Sequence, residues 1–201
     1  MDESIQHDFE QKVVAIAKRW KVGDPKDAET TMGPLVSQVQ RDIVSKQVDA
    51  AVKEGAKVLY QSECPTQGYF FPVTVLSSLK QDMSIQKHET FGPVIALSTF
   101  DGSEEAAVSL ANDTEYGLAA SVYTKDLTKG SRVARRIRSG QVGINCYSSS
   151  EAQAACPWIG HKQSGFGSHS GKRLFAARMS RIRIIISRII IIFFSRGGRL
   201  P

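Results

Sequence analysis

The feature that most constrains this chain is a strict alternation of apolar and amphipathic segments over residues 94–145. Apolar runs bounded by turn residues indicate strands, and apolar spacings of three and four indicate helices. The pattern predicts strands at 94–100, 118–124 and 141–145, and helices at 103–111 and 127–139. Short links between such units favour right-handed crossovers. The predicted fold class is therefore α/β, with alternating helices and strands and a mostly parallel sheet.

The first half of the chain carries the same two kinds of segment. Residues 4–20 have an apolar face at helical spacing and predict a helix that ends before Gly23. Ser37 is the expected N-cap of the next helix. The apolar face of that helix is predicted to consist of Ile43, Val44, Val48 and Val52. Strands are predicted at 57–60 and 69–76, and Pro72 indicates that the second lies at an edge or a bend.

Charge is distributed unevenly along the 201 residues, so the net charge of +6 misleads. Residues 171–201 carry eight Lys and Arg and no acid, which leaves 18 basic and 20 acidic residues before them. The body therefore offers no broad basic surface, and we expect no nucleic-acid partner. The apolar run at 182–194 has 13 residues and is interrupted by Arg183 and Arg188. A membrane span needs about 20, so we expect no membrane partner.

The three cysteines, Cys64, Cys146 and Cys156, form neither a disulfide framework nor a C-x-x-C zinc motif. No metal site is predicted, since the spacing of Cys156, His161 and His169 fits no familiar pattern. Reduced thiols and an acidic start without an apolar leader segment favour the cytoplasm.

Residues 87–93, KHETFGP, form a turn that leads directly into the apolar run 94–98. That run is predicted to be buried. A carboxylate and a ring two residues apart on a tight bend could enter one pocket, the carboxylate accepting both hydroxyls of a ribose and the ring lying against a flat heterocycle. The alternative is an acidic turn with Phe91 in the core.

Four further blocks accompany this motif in order along the chain. The blocks are GPLVS at 33–37, NDTEYGLAA at 112–120, SGQVGIN at 139–145 and PWIGHKQSGFG at 157–167. Together with KHETFGP they resemble the motifs of the NAD(P)-dependent aldehyde dehydrogenase superfamily, over residues 1–168. The resemblance implies an incomplete catalytic domain that oxidises an aldehyde to a carboxylic acid, uses NAD or NADP, and forms a homo-oligomer in the complete enzyme.

The resemblance also implies roles for individual residues. Glu89 matches the carboxylate that holds the nicotinamide ribose, Phe91 the ring near the nicotinamide, and Gln40 a contact to the adenosine ribose. Trp158 and Tyr147 match substrate-side positions, with a loop anchor as the alternative for Trp158. Trp after Pro157 is frequent in members that act on betaine or amino aldehydes, whereas Ile159 and His161 depart from the usual residues of this block.

The family nucleophile is a cysteine placed shortly before a helix like 4–20, and none of the three cysteines occupies that position. No catalytic residue is therefore assigned, and no G-x-G-x-x-G is present. The resemblance implies a C-terminal part of an aldehyde dehydrogenase that is inactive alone. The alternative is a non-catalytic remnant that acts by association.

Residues 169–201 depart from the family and are predicted to be an oligomerisation strand or disordered. Residues 181–186 alternate as a strand would, whereas 189–194, IIIIFF, does not. Left uncovered, such a run is prone to aggregation, so its removal is expected to improve solubility.

Overall fold

A computed structural model of the chain describes residues 1–146, 157–169, 183–184 and 189–194. The chain forms two compact units. The first unit consists of residues 5–99, and the second consists of residues 1–4 together with residues from 100 onward. The α/β fold class is confirmed, since both units combine helices with strands.

The first unit combines three helices with a three-stranded sheet. Its elements are α1 (Gln6–Ala17), α2 (Gln38–Lys53), β1 (Lys57–Gln61), β2 (Thr74–Ser77), α3 (Ser84–Lys87) and β3 (Val94–Ala96). The strand order is β1-β2-β3. β2 runs antiparallel to β1 and parallel to β3, so this sheet is mixed.

Helix α2 begins where the sequence predicts, because the Ser37 hydroxyl accepts a hydrogen bond from the Gln40 backbone N–H. Its buried face is narrower than predicted. Val44 and Val48 are buried, whereas Ile43 and Val52 are exposed. The core of this unit joins α2 to β2 and α3 through Val44, Val48, Ala51, Ala56, Phe71, Leu76, Leu79, Met83 and Ile85.

Two strand predictions for the first unit need correction. β2 starts at Thr74, after Pro72, and it is the central strand and not an edge. The predicted buried run at 94–98 is partly exposed, since Ile95 is 39% exposed and Ala96 is exposed too. The reason is position: β3 pairs only with β2 among the described residues and forms the edge of the sheet.

The second unit contains two helices and nine strands within the described residues. These are α4 (Glu104–Asn112), β4 (Tyr116–Gly117), β5 (Ala119–Tyr123), α5 (Leu127–Arg136), β6 (Gln141–Ile144), β7 (Trp158–Ile159), β8 (His161–Lys162), β9 (Gly165–Phe166), β10 (Ser168–His169), β11 (Arg183–Ile184) and β12 (Ile189–Phe193). Side-chain oxygens of Ser103 and Asp126 cap α4 and α5 by accepting backbone N–H groups.

The main sheet of the second unit has the order β12-β5-β6 and is parallel throughout. The predicted mostly parallel sheet is thus correct here and wrong elsewhere: β4–β8, β7–β10 and β9–β11 are short antiparallel pairs. The core of the unit consists of Phe100, Ala107, Val108, Ala111, Ala120, Val122, Val133, Ile137, Ile192 and Phe194.

The apolar tail run is not uncovered, contrary to the sequence prediction. β12 pairs with β5 along its whole length, and Ile192 and Phe194 belong to the core. The physical reason for the error is that strand pairing between distant segments leaves no local signal in the sequence. Within the described part of the chain, no helix is both long enough and apolar enough to cross a membrane.

Candidate cofactor and substrate contacts

Two glutamines of α2 hold the turn that contains Glu89 and Phe91. Gln40 donates its side-chain amide to the Phe91 carbonyl oxygen at 3.0 Å, and Gln47 donates to the Glu89 carbonyl oxygen at 3.3 Å. The two glutamines are seven residues apart, which places them on one face of the helix two turns apart. The structure therefore brings together Gln40, Glu89 and Phe91, the three predicted cofactor residues.

Close approach of the turn to α2 depends on Gly92. A Cβ at this position would lie 2.8 and 2.9 Å from the two Val44 methyl carbons, and Val44 is fully buried. The motif needs glycine for this contact; a positive φ is not the reason. The Pro93 carbonyl then accepts the Thr74 backbone N–H at 2.9 Å, which joins the turn to β2.

The side chains of the turn remain accessible. Phe91 is 52% exposed, so the alternative reading of Phe91 as a core residue is wrong. Glu89 is half-buried beside it. Gln47 Oε1 and Thr90 Oγ1 are buried without a hydrogen-bond partner among the described residues. An accessible ring and an adjacent carboxylate are groups that can contact a flat heterocycle and a nucleotide sugar.

Gln40 has a defined structural task, because its amide nitrogen is bonded to the Phe91 carbonyl. Its contact with an adenosine ribose remains a prediction. Gln47 was not singled out from the sequence, although its position seven residues after Gln40 on a predicted helix is a usable signal. What the sequence could not provide is the long-range partner, the carbonyl of residue 89.

The predicted substrate-side residues belong to the second unit. Trp158 lies in β7, half-buried, and pairs with His169 of β10. Its indole Nε1 is buried without a hydrogen-bond partner among the described residues. Tyr147 lies outside the described residues, as does Cys156. Gly140 lies under β7: a Cβ there would come within 1.5 Å of the Ile159 carbonyl oxygen, so a larger residue would displace β7.

The blocks at 112–120 and 157–167 hold each other in place. Ser164 is fully buried, and its hydroxyl accepts the Gly117 backbone N–H at 2.9 Å. Lys162 donates to the carbonyl oxygens of Asn112 and Thr114 at 3.1 and 2.9 Å. Desolvation lowers the pKa of Lys162, and the nearby Arg138 lowers this pKa further. Lys162 and Ser164 therefore orient the segment that carries Trp158.

Asn145 ends β6 with a positive φ of 55° and completes the strand with its side chain. Its amide oxygen accepts the Thr124 backbone N–H at 2.8 Å, and its amide nitrogen donates to the Thr124 carbonyl at 2.9 Å. The paired bonds imitate a further strand residue. They fix the point at which the chain leaves β6.

Comparison with known proteins agrees with this arrangement of motifs. The sequence model of the aldehyde dehydrogenase family matches residues 1–185. The chain belongs to the aldehyde dehydrogenase family. It is 44% identical over 177 residues to the betaine aldehyde dehydrogenase of Bacillus subtilis (strain 168), covering 86% of this chain and 36% of that protein. The chloroplastic betaine aldehyde dehydrogenase of Beta vulgaris is 40% identical over 173 residues, covering 85% and 34%.

A solved aldehyde dehydrogenase has the same fold over the matched part. The betaine aldehyde dehydrogenase of Staphylococcus aureus, crystallised in complex with NAD+, superposes with a TM-score of 0.78 at 38% identity. The match covers 85% of this chain and 34% of that protein. This aldehyde dehydrogenase chain thus spans about one third of the length of the relatives it matches.

Two of the three cysteines of this aldehyde dehydrogenase chain lie among the described residues. Cys64 and Cys146 are free thiols and half-buried. Among the described residues, no group of three or more His, Cys, Asp or Glu side chains could hold a metal ion. No nucleophile is assigned to the described part of the chain, and the cofactor and substrate contacts of Glu89, Phe91 and Trp158 remain predictions.

Proposed function

We propose that this chain is the C-terminal part of the catalytic domain of an NAD(P)-dependent aldehyde dehydrogenase. Joined to the other two thirds of such an enzyme, it would take part in oxidising an aldehyde to a carboxylic acid. The observation that carries the proposal is the Glu89–Phe91 turn, pinned to α2 with its ring exposed. The NAD+ complex of the S. aureus relative supports the cofactor class.

Each residue of the turn has a proposed task when a cofactor is bound. The Glu89 carboxylate accepts the two hydroxyls of the nicotinamide ribose, and the Phe91 ring packs beside the nicotinamide. Gln40 borders the adenosine ribose and Gln47 positions the turn. The bound nicotinamide supplies the hydride acceptor, and hydride transfer depends on near-attack geometry that these residues maintain.

A chimeric enzyme tests the proposal. The matched third of the B. subtilis enzyme is replaced by the matched 86% of this chain, and NADH formation is followed with betaine aldehyde. We expect the chimera to form NADH and the isolated chain to form none. In the chimera, Glu89→Gln leaves one acceptor oxygen for two hydroxyls, and kcat should fall about tenfold, equivalent to about 1.4 kcal/mol of lost positioning.

The exposed Glu63 provides a matched control, since Glu63→Gln makes the same chemical change away from the turn. It should leave kcat unchanged. Deuterated aldehyde reports whether hydride transfer has become limiting in Glu89→Gln. Equal rates for the two variants, with no isotope effect, would show that Glu89 is only a structural turn residue.

The substrate class we propose is a betaine or amino aldehyde. The support is the Trp after Pro157, together with relatives named betaine aldehyde and aminoaldehyde dehydrogenase. A cation–π contact between the face of an indole and an alkylammonium group contributes about 0.5–2 kcal/mol to binding. In the chimera, Trp158→Leu should therefore lower kcat/KM for betaine aldehyde by about tenfold, whereas Trp158→Phe should lose less. An equal loss with propanal, a neutral aldehyde, would reduce Trp158 to a loop anchor.

A second candidate function is association without catalysis. It is favoured by the exposed apolar side chains of the first unit, which include Val36, Val39, Ile43 and Ile95. Sedimentation of the isolated chain mixed with the B. subtilis enzyme tests association: comigration supports it, and independent boundaries contradict it.

We also propose that the chain is located in the cytoplasm and that the complete enzyme is a homo-oligomer.

A further inference from the structure

The second unit is completed by a strand that lies outside the family match. The match ends at residue 185, and β12 occupies residues 189–193. β12 pairs in parallel with β5 from Ile189 opposite Ala119 to Phe193 opposite Tyr123. The pairing covers five positions, one more than β5 shares with β6. β5 is thereby the central strand of its sheet.

The ends of β12 are fixed by further backbone bonds. The Phe194 N–H donates to the Tyr123 carbonyl at 2.9 Å. The Phe193 carbonyl accepts the Asp2 N–H, also at 2.9 Å. The residues on either side of Asp2 bond in turn to Phe100. The Phe100 N–H donates to the Met1 carbonyl, and the Glu3 N–H donates to the Phe100 carbonyl. β12 thus links β5 to the start of the chain.

One face of β12 enters the core. Ile192 is 5% exposed and lies opposite Val122, and Phe194 meets Phe100 edge to face at 5.2 Å between centroids. The Lys129 ammonium lies 4.1 Å from the Phe194 ring centroid, within cation–π distance. On the other face, Phe193 stacks on Tyr123 at 4.8 Å, and Ile191 is 45% exposed.

Without β12, the β5–β6 pair would be a two-stranded parallel sheet in which the outer edge of β5 is open as well as that of β6. Two strands are marginal in water, and parallel sheets require burial. Ala120, Val122 and Phe100 would lose apolar cover on the side that β12 now occupies.

We propose that the β5 edge is a strand-acceptor site and that residues 189–194 of this chain occupy it in cis. These residues form a self-complementing strand that closes the β5 side of the main sheet of the second unit. The proposal does not depend on the proposed function, since it concerns folding and not catalysis.

A pair of variants in the full chain tests it. Ile192→Asp places a carboxylate on the buried face of β12, and Ile191→Asp places the same group on the exposed face. We expect Ile192→Asp to lower Tm by roughly 10 °C or more, and Ile191→Asp to change Tm by less than about 3 °C. Equal Tm values for the two variants, or an unchanged Tm for Ile192→Asp, would overturn the proposal.

Hydrogen exchange of the unsubstituted chain keeps the test decisive if Ile192→Asp does not fold. The Phe194 amide should exchange about as slowly as the Asn145 amide, which bonds to the Val122 carbonyl on the other side of β5. Cross-strand nuclear Overhauser effects should connect Ile192 with Val122. Exchange of Phe194 at the rate of an unstructured peptide would mean that the acceptor site is empty and the proposal is wrong.

Discussion

β5 and β3 are both paired in parallel, yet they differ in what covers them. β5 lies between β12 and β6, and Ala119, Ala120, Ser121 and Val122 are all buried. β3 lies at the edge of its sheet, and Ile95 and Ala96 are exposed. The edge of β5 that would otherwise be open is covered by a segment outside the family match.

The difference in cover between β5 and β3 does not follow the boundary of the family match. The E-T-F-G-P turn and β3 lie within the match, but they present apolar surface that suits a neighbouring segment of a longer protein. The family match extends to residue 185, beyond the predicted limit of 168, so only the later part of the predicted divergent tail lies outside it. That part still contributes two core side chains, Ile192 and Phe194. A segment outside the family match therefore helps to stabilise this chain, alongside the matched residues that form the rest of the two cores.

The largest effect is expected from one substitution made in both strands. Val122→Asp buries a carboxylate in β5 and should destabilise the second unit by about 4 kcal/mol or more, a large part of a typical domain's stability. Ile95→Asp in β3 should change the free energy of unfolding by less than about 0.5 kcal/mol. Urea denaturation of both variants measures the difference; similar losses would mean that β3 is covered in solution.

The next largest effect concerns the turn that precedes β3. Gly92→Ala introduces a Cβ that overlaps the Val44 methyl groups, and the fully buried Val44 cannot move away easily. We expect a loss of about 1–3 kcal/mol in the free energy of unfolding. In the Val44→Ala background the same change should cost much less, because the overlapping atoms are gone. An equal loss in the free energy of unfolding with Val44 and with Val44→Ala would mean that the Cβ at residue 92 does not destabilise the chain through overlap with Val44.

The outcome at Gly92 bears on what the sequence could predict. Ser37 and Ser103 were predictable as caps because capping is a local interaction of three or four residues. Likewise, α5 follows from its helical pattern, although it ends at Arg136 and not at residue 139. Turn residues such as Gly92 were recognisable as special, but the reason for Gly92 is a contact with α2, which is distant in sequence.

The pairing of strands was the part that local patterns could not provide. The alternation over 94–145 predicted the strands correctly as elements, but it did not predict that β3 joins β2 while β5 joins β12. Exposure of Phe91 was equally hidden, since an aromatic ring after a turn enters the core in many proteins. At the candidate site the sequence indicated Glu89, Phe91 and Gln40, and it missed Gln47.

A smaller effect should follow from releasing the turn that leads into β3. Gln47→Ala removes the hydrogen bond to the Glu89 carbonyl and should cost about 1 kcal/mol. Gln38→Ala is the matched control, because Gln38 is on the same helix and its side-chain amide donates to the exposed Asp42 carboxylate at 2.6 Å. It should cost no more than about 0.5 kcal/mol. Faster amide exchange at Gly92 in Gln47→Ala alone would place the effect at the turn.

The smallest effect on stability is expected on the exposed face of α2. Val39 is 69% exposed, so Val39→Lys removes almost no buried area. Lys is the better helix former, and it would face Asp42 three residues later on the same side of the helix. Both terms favour the variant by a few tenths of a kcal/mol, so the free energy of unfolding should stay within about 0.5 kcal/mol.

Solubility is where Val39→Lys should act. The substitution interrupts the apolar surface formed with Val36 and Ile43, and light scattering should report less self-association than in the unsubstituted chain. Ile191→Asp, on the exposed face of β12, should bring a smaller gain, because the adjacent Ile192 already lies in the core. A loss of more than about 1.5 kcal/mol in the free energy of unfolding of Val39→Lys would mean that this face of α2 is already covered in the isolated chain. The first unit would then have a covered apolar surface, as β5 has, and the two units would no longer differ in this respect.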